Sequence, residues 1–179
     1  PARAMLLSVM FDMVKHGEFV SEFAAEKAAY FLQRFGAHKA FNLEFSPNFY
    51  GPYSGKVKHV LYYLNGSYIM GYSAKDKRPF EVISIVVDAE KDINQYLHLP
   101  ENQDYLKITE KTKNFLSGFY SPFGLELLST IDFIMQHHQI TDPDEIRQKL
   151  NNWGNRKKTL FDNPKFVTIA TEQLRSYVP

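Results

Sequence analysis

A run of basic residues beside aromatic residues has the composition of a nucleic-acid contact. Arg156, Lys157 and Lys158 carry consecutive positive charges, and Trp153 and Phe161 lie close to them in the sequence. Cations that contact phosphates, next to rings on which bases stack, can hold single-stranded nucleic acid. The same run follows a predicted helix end, where cations stabilise the exposed carbonyl groups. The sequence favours this second, structural role.

Patterns that would indicate catalysis or metal binding are missing from the sequence. It contains no Gly-rich phosphate loop, no serine in a nucleophile elbow and no cysteine. The six histidines lack the i, i+4 spacing of a zinc-binding helix, since His137 and His138 are adjacent and His59 stands alone. The densest acidic group, around Asp142, is explained by a helix start. The sequence therefore predicts no metal and no cofactor, and it predicts that this domain is not an enzyme.

Length and charge bound the class of protein. With 179 residues and 44% hydrophobic content, the chain is the size of one domain with a substantial core. Lys and Arg number 21 against 20 Asp and Glu, so a net charge of +1 creates no overall field towards nucleic acid or anionic membranes. No apolar run is long enough to span a bilayer, and the lack of cysteine fits a reducing compartment. These features predict a cytoplasmic domain without membrane contact.

A tight turn is predicted where Gly51 precedes Pro52. Glycine accepts a positive φ angle, whereas proline fixes its own φ and removes a hydrogen-bond donor. Tyr50 and Tyr53 flank this turn. Such amphipathic rings serve either as plugs in a core or as contacts presented to a partner. The spacing favours a packed corner.

Apolar residues recur at helical spacing along most of the chain. The predicted helices cover residues 2–16, 21–36, 57–64, 88–97, 105–118, 121–135, 142–153 and 163–177. The expected capping residues are Ser54, Asp88, Ser121 and Asp142. Gly66 is expected to provide the left-handed stop of the helix over 57–64.

Two short segments have the properties of strands. Residues 41–45 alternate apolar and polar side chains, and residues 80–87 are rich in β-branched side chains, so we expect these segments to pair. Residues 68–72 are expected to form an irregular connector. The predicted fold class is α+β, mainly α, with about seven or eight helices around one core and a small two-stranded β-ribbon.

Several motifs, in this order along nearly the whole chain, resemble the C-terminal domain of DarG antitoxins. They are Lys27 to Leu32; Tyr50-Gly51-Pro52-Tyr53; Leu61 to Gly66 with Tyr68-Ile69 and Gly71-Tyr72; Ser121 to Leu128, including Pro122 and Gly124; and Trp153, Arg156, Lys157, Leu160 and Phe161. Each motif is moderately specific, and their common order carries the resemblance. The glycines and prolines among them are expected to have structural roles: Gly51, Pro52, Gly66, Gly71, Pro122 and Gly124.

The resemblance implies a toxin–antitoxin function. In that family an N-terminal macrodomain removes ADP-ribose from DNA. The C-terminal domain binds the DarT toxin, which transfers ADP-ribose from NAD to thymidine in single-stranded DNA. Residues 1–179 are then a single toxin-binding domain of a longer chain with an N-terminal macrodomain, and the missing initiator methionine agrees with this. The implied mechanism is occupation of the toxin's DNA site by DNA mimicry.

Mimicry of DNA requires carboxylates in place of phosphates and rings in place of bases. Two acidic strips with a nearby tyrosine meet this requirement, one at residues 88–96 and one at residues 101–105, although a capped and solvated helix start is the favoured explanation of each. The candidate toxin-binding residues are Tyr50, Tyr53, Tyr68, Tyr72, Asp88, Glu90, Asp92, Tyr96, Glu101, Asp104, Trp153, Arg156 and Lys157.

Two alternative functions remain open. A nucleic-acid-binding module would use Lys75, Lys77 and Arg78 together with residues 156–158 as one surface, with binding that weakens steeply with salt. An antitoxin of the broader Panacea group would have a different toxin partner. Two departures from the DarG pattern concern the toxin contacts: the Gly-Pro-Tyr motif occurs once rather than doubled, and Ser73 and Ala74 replace the usual glycine and aspartate.

Overall fold

The computed structural model describes residues 1–72 and 78–177, and helices dominate it. The α-helices are α1 (Ala2–Lys15), α2 (Glu22–Leu32), α3 (His38–Phe41), α4 (Val57–Leu64), α5 (Ala89–Leu97), α6 (Gln103–Leu116), α7 (Pro122–His138), α8 (Pro143–Trp153), α9 (Asn155–Leu160) and α10 (Pro164–Tyr177). A π-helical turn, Gln33–Ala37, joins α2 to α3, and a 3-10 turn, Pro100–Asn102, precedes α6. Across the described ranges, no helix has the length and hydropathy needed to cross a membrane.

Two short antiparallel ribbons complete the fold. Strand β1 (Ser46–Asn48) pairs with β2 (Gly51–Tyr53), and β3 (Ile69–Met70) pairs with β4 (Ser84–Ile85). The predicted fold class, a mainly helical α+β domain, is therefore confirmed. The prediction of a single ribbon is wrong, since the described part of the chain contains two.

Helix α2 lies at the centre of the core. It packs against α1, α4, α6, α7 and the β2 strand. Its alanines at positions 24, 25, 28 and 29 are all buried, and their small side chains let neighbouring helices approach closely. Helix α7 is equally enclosed and contacts α2, α8, α10 and β2. Strand β2 is therefore held against two buried helices.

Two of the predicted capping residues act as predicted. The Ser121 hydroxyl accepts a hydrogen bond from the Gly124 amide at 3.0 Å, and Pro122 occupies the first turn of α7. The Asp142 carboxylate accepts from the Glu145 amide at 3.1 Å. These side chains satisfy amide groups that a helix start leaves without an intrahelical partner.

The other two predicted capping residues do not cap. Asp88 precedes α5 but already has helical backbone angles (φ −62°, ψ −20°), so its carboxylate does not reach the first amides of the helix. Ser54 lies too far before α4, which starts at Val57. Its hydroxyl accepts from the Lys56 amide at 3.2 Å and donates to the Glu26 carboxylate.

The predicted strand over residues 41–45 is wrong. Phe41 ends α3, and Asn42 adopts a left-handed conformation with φ 49°. The side-chain amide of Gln33 then bonds both backbone groups of Leu43, each at 2.8 Å, and takes the place of a strand partner. Phe41 and Leu43 are both buried. The alternation of apolar and polar residues therefore belongs to a loop that packs against the core.

The second predicted strand exists only in part. Of residues 80–87, only Ser84 and Ile85 are in a strand. Their partners, Ile69 and Met70, lie in the segment that was expected to be an irregular connector. The segment 80–87 thus pairs, but with a different region of the chain from the one predicted.

Candidate functional site

The β1–β2 hairpin, residues 46–53, forms the centre of the candidate site and is called the hairpin platform below. Its strands pair in the register Asn48 to Gly51, with Phe49 and Tyr50 in the turn. Gly51 has φ +101°, and a Cβ atom there would lie 2.9 Å from Thr130 Oγ1 and 3.0 Å from Lys27 Nζ. The prediction of special backbone angles at Gly51 is confirmed, and glycine is also required by the close approach of α7 and α2.

Two buried lysines hold the hairpin platform from below. Lys27 Nζ donates a hydrogen bond to the Pro52 carbonyl at 2.8 Å. Lys157 Nζ donates to the Phe49 carbonyl at 3.0 Å and to the Glu126 carboxylate at 2.6 Å. Each lysine is 1% exposed. The ammonium groups therefore bind backbone carbonyls of the turn and of β2.

Burial changes the proton affinity of these groups. Desolvation lowers the pKa of Lys27 to about 7, and the charge of Lys157 adds to this effect. Burial also lowers the pKa of Lys157, opposed by its hydrogen bond to Glu126. The pKa of Glu26 is raised by burial, although hydrogen bonds from Ser54 oppose the shift. Charged groups in such a place are expensive unless they are paired, so their partners must stay in position.

Glu22 and Glu26, one helical turn apart on α2, hold the polypeptide that leaves the hairpin platform. Glu26 accepts hydrogen bonds from the amides of Ser54, at 3.1 Å, and Gly55, at 3.2 Å. Glu22 accepts from the hydroxyl groups of Tyr53 and Tyr72, each at 3.2 Å. Burial and the nearby Glu22 carboxylate raise the pKa of Tyr53 to about 12.

Aromatic rings cover the outer side of the hairpin platform. Phe49 is 59% exposed, and its ring meets the Tyr50 ring edge to face at 4.9 Å. Tyr50 makes a similar contact with Phe80 at 4.8 Å. The Arg156 guanidinium lies 4.8 Å from the Tyr50 ring centroid and donates to Glu126 at 2.5 Å. This arrangement is a rigid aromatic surface with a cation beside it.

A cavity of about 260 Å³ opens between α2 and the hairpin platform. Its lining includes Glu22, Glu26 and Lys27 from α2, and Phe49, Tyr50 and Tyr53 from the hairpin platform. We call it the corner cavity. Pockets for drug-sized ligands start at about 300 Å³, so the corner cavity suits a smaller group.

Five of the predicted site residues come together at the hairpin platform. Tyr50 and Tyr53 line the corner cavity, and Trp153, Arg156 and Lys157 line a second groove that shares Asn48 and Phe49 with it. The Trp153 indole donates to the Asn48 carbonyl at 2.9 Å. The tail of the chain and the Gly51-Pro52 corner therefore form one region. The two hydrogen-bonded residues, Asn48 and Trp153, are 105 positions apart in the sequence.

The remaining predicted residues lie elsewhere. Tyr68, Asp92 and Tyr96 share a groove of about 240 Å³ with Arg3 and Tyr63. Tyr72 is buried, 3% exposed, and donates its hydroxyl hydrogen bond to Glu22. Glu90 forms an ion pair with Lys15. The other three residues are exposed: Asp88, Glu101 and Asp104.

The basic run follows a helix end, as predicted, and its first two residues also make ion pairs that the sequence did not indicate. Arg156, Lys157 and Lys158 follow the end of α8 at Trp153, but they lie inside the next helix, α9, which begins directly after Gly154. Arg156 and Lys157 both pair with the buried Glu126. Lys157 also cannot belong to the basic surface expected of a nucleic-acid-binding module, because its side chain is buried. Lys75 and Lys77 lie outside the described residues, as do Ser73 and Ala74.

Sequence reasoning missed the charged residues that support the hairpin platform. Glu26 and Lys27 lie in an alanine-rich helix, and Glu126 lies in an apolar stretch of α7. A charge in the middle of an apolar helix is the signal that was available, because such a group must find a partner when the helix is buried. Among the described residues, no group of three or more potential ligands is placed to hold a metal ion.

Comparison with known proteins relates this chain to DNA ADP-ribosyl glycohydrolases. No protein-family model matches it. It is 33% identical over 162 residues to a DNA ADP-ribosyl glycohydrolase from Thermus aquaticus, which covers 89% of this chain and 42% of the relative. Proteins of the same name from Mycobacterium tuberculosis and Mycobacterium bovis are 25% identical over 158 residues, or 87% of this chain and 44% of each relative. The chain is similar to these glycohydrolases and spans less than half of their length.

These matches correct one prediction. From its sequence, this domain was predicted not to be an enzyme. The relatives that match most of the chain are named as glycohydrolases, and this finding contradicts the prediction. The prediction rested on the absence of known catalytic motifs. Such motifs identify only chemistries with familiar local patterns, so their absence does not exclude an enzyme activity.

Proposed function

We propose that this domain binds and neutralises a DarT-type DNA ADP-ribosyltransferase in the cytoplasm, with the hairpin platform as the contact surface. The observation that carries the proposal is the exposed ring of Phe49, fixed beside Tyr50 on a hairpin whose carbonyls are bound by buried lysines. Rigid aromatic residues near the centre of an interface are typical anchors of protein–protein binding. The DarG relationship supports the choice of partner.

The arrangement of charges is compatible with mimicry of single-stranded DNA. Glu22 and Glu26 lie beside the rings of Phe49 and Tyr50 around the corner cavity. Carboxylates can replace phosphates as acceptors for basic residues, and rings can replace bases as stacking surfaces. The toxin's DNA site would thus meet acceptors and rings in the same small area.

The first test is formation of a complex with a purified DarT-type toxin. Isothermal titration calorimetry should detect binding, and thymidine-containing oligonucleotides should compete with the domain while binding the domain itself poorly. Phe49→Ala should weaken binding about tenfold or more without lowering the melting temperature, because Phe49 is largely exposed. Ile169→Ala on α10, also exposed, is the matched control and should leave the affinity unchanged.

The outcomes separate this function from its alternatives. A nucleic-acid-binding module would be favoured by two results together: the domain binds oligonucleotides tightly, and added oligonucleotide does not change its affinity for the toxin. Binding of a different toxin and not of a DarT-type toxin would favour the Panacea alternative. If Phe49→Ala and wild type bind the toxin with equal affinity, the interface does not include the hairpin platform.

Hydrolysis of ADP-ribosylated DNA is a second candidate function, which the names of the relatives favour. Glu22 and Glu26 both line the corner cavity, and burial raises the pKa of Glu26, as it does for general acids that cleave glycosidic bonds. The test is release of ADP-ribose from a modified oligonucleotide. Release that Glu26→Gln abolishes would place the activity here, and release that Glu26→Gln leaves intact would exclude this site.

A further inference from the structure

We infer that the corner cavity receives an arginine side chain from the partner. This inference rests on the proposed function and deepens it, because it names the chemistry that the partner must present. The cavity combines two carboxylates with the aromatic rings of Phe23, Phe49 and Tyr50 in a space of about 260 Å³. The carboxylates favour a cation over an anionic group, the rings can accept a cation on their faces, and the volume limits the ligand to the size of a side chain.

The charge of the lining is the first argument. Glu22 and Glu26 supply two carboxyl groups to the lining, and Lys27 supplies one amine. The Lys27 ammonium is also already bound to the Pro52 carbonyl. A partner cation therefore gains from the excess carboxylate, whereas an anion would be repelled and desolvated.

The rings supply the second argument, and the protein itself contains a comparable contact. The Arg156 guanidinium lies 5.1 Å from the centroid of the Phe49 ring and 4.8 Å from that of Tyr50. Arg156 is absent from the lining of the corner cavity and instead lines the neighbouring groove. The same pair of rings thus already accepts a guanidinium group in the adjoining site.

Arginine fits this site better than lysine does. Its planar guanidinium stacks on aromatic faces and forms paired hydrogen bonds with a carboxylate, and it is more weakly hydrated than an ammonium group. Glu22 is half-buried and already fixed by Tyr53 and Tyr72, so its carboxylate is held in place before any partner binds. Such preorganisation favours a planar, directional ligand.

The test uses the intact domain and the peptide acetyl-Gly-Arg-Gly-amide, followed through the NMR shifts of backbone amides. We expect saturable shifts at residues that line the corner cavity. Replacement of arginine by citrulline, which keeps the shape and removes the charge, should weaken binding about fivefold or more. Equal binding of both peptides, shifts confined to other surfaces, or no saturable shift at the solubility limit would overturn the inference.

A pair of variants makes the test specific to the cavity. Glu22→Gln removes the charge, keeps an acceptor for one of the two tyrosine hydroxyls and presents its amide NH2 to the oxygen of the other, and should weaken peptide binding about fivefold. Glu172→Gln on α10 is the matched control and should have no effect. An unchanged affinity for Glu22→Gln, with an unchanged melting temperature, would show that the carboxylate does not hold the guanidinium.

The same variants distinguish failure of this inference from failure of the proposed function. If the DarT-type toxin binds wild type and Glu22→Gln equally, the arginine inference fails and the proposed function stands. If the toxin does not bind wild type while the arginine peptide does, the proposed function fails and the cavity remains a site for arginine on another partner. If neither binds, both are wrong.

Discussion

The hairpin platform and the acidic strip on α5 (Asp88, Glu90, Asp92 and Tyr96) use similar residue types in opposite ways. At the hairpin platform the charges lie beneath the surface and bind the backbone, as Lys27 and Lys157 do. On α5 the charges face solvent, and Glu90 pairs with Lys15 while their side chains remain 27% and 59% exposed. The conformation of the hairpin platform therefore depends on its charged residues, whereas that of α5 does not.

This contrast shows where charged residues determine structure. Breaking a buried pair leaves an uncompensated charge in a poorly solvating environment, so every partner is required. An exposed pair is screened by water and salt, so its loss changes stability little. A surface built on the first kind of pair keeps its shape before a partner binds. That property favours the hairpin platform as the recognition surface.

The largest expected effect comes from the turn itself. Gly51→Val should destabilise the domain by about 4 kcal/mol, because a β-branched side chain would be strained at positive φ and would also meet Thr130 and Lys27. Gly66→Val, also at positive φ but with no atom near the added Cβ, should destabilise it by about 2 kcal/mol. Urea unfolding measures both. Similar losses would mean that the close approach contributes nothing.

Buried and exposed ion pairs can be compared directly. Glu126→Leu should destabilise the domain by about 3 kcal/mol, because it leaves Lys157 buried without its carboxylate. Glu90→Leu on α5 should cost less than about 1 kcal/mol, since Lys15 returns to water. Thermal melting of both variants checks the difference. A smaller loss for Glu126→Leu than for Glu90→Leu would contradict the contrast between the two regions.

The sequence predicts much of the fold because helices are specified locally. The caps at Ser121 and Asp142 and the positive φ angle at Gly66 depend on residues within a few positions of each other, and each could be identified. The ribbon over 69–85 and the loop at Leu43 depend on distant partners, and they were mispredicted.

The candidate site was predicted only in part, for the same reason. The Gly51 corner carries a local signal, but the pairing of Lys157 with the Phe49 carbonyl joins residues that are far apart in sequence. Nothing in the local pattern shows that Arg156 lies over the Tyr50 ring. A sequence identifies residues able to bind, and only the fold decides which of them are exposed.

Lys27 should give the domain a pH-dependent stability. Its pKa of about 7 in the folded state lies below its ordinary value of 10.5, so between these values the unfolded chain binds a proton that the folded chain does not. The free energy of unfolding therefore rises with pH, by up to about 1.4 kcal/mol per pH unit from this group. Urea unfolding at about pH 6 to 9 should show this rise in wild type relative to Lys27→Met.

The control for this measurement is Lys39→Met, in which an exposed lysine is removed. It should unfold with the same pH dependence as wild type, because Lys39 lies on the surface and its removal leaves the buried Lys27 in place. A wild-type stability that runs parallel to that of Lys27→Met would mean that Lys27 stays charged, with water or Glu26 compensating its burial.

The smallest effect is expected at the acidic strip, where Asp88, just before α5, and Asp92 within it are exposed. Both carboxylates were predicted from the sequence as phosphate mimics. Reversing both charges to lysine should leave the melting temperature unchanged and slow association with the toxin only about twofold, through lost long-range steering. Stopped-flow measurements at low and high salt isolate this contribution, because steering disappears as salt increases. A tenfold or larger increase in the dissociation rate would instead make α5 a contact surface. Because Phe49→Ala is measured in the same assay, the pair of results decides which of the two regions the toxin occupies.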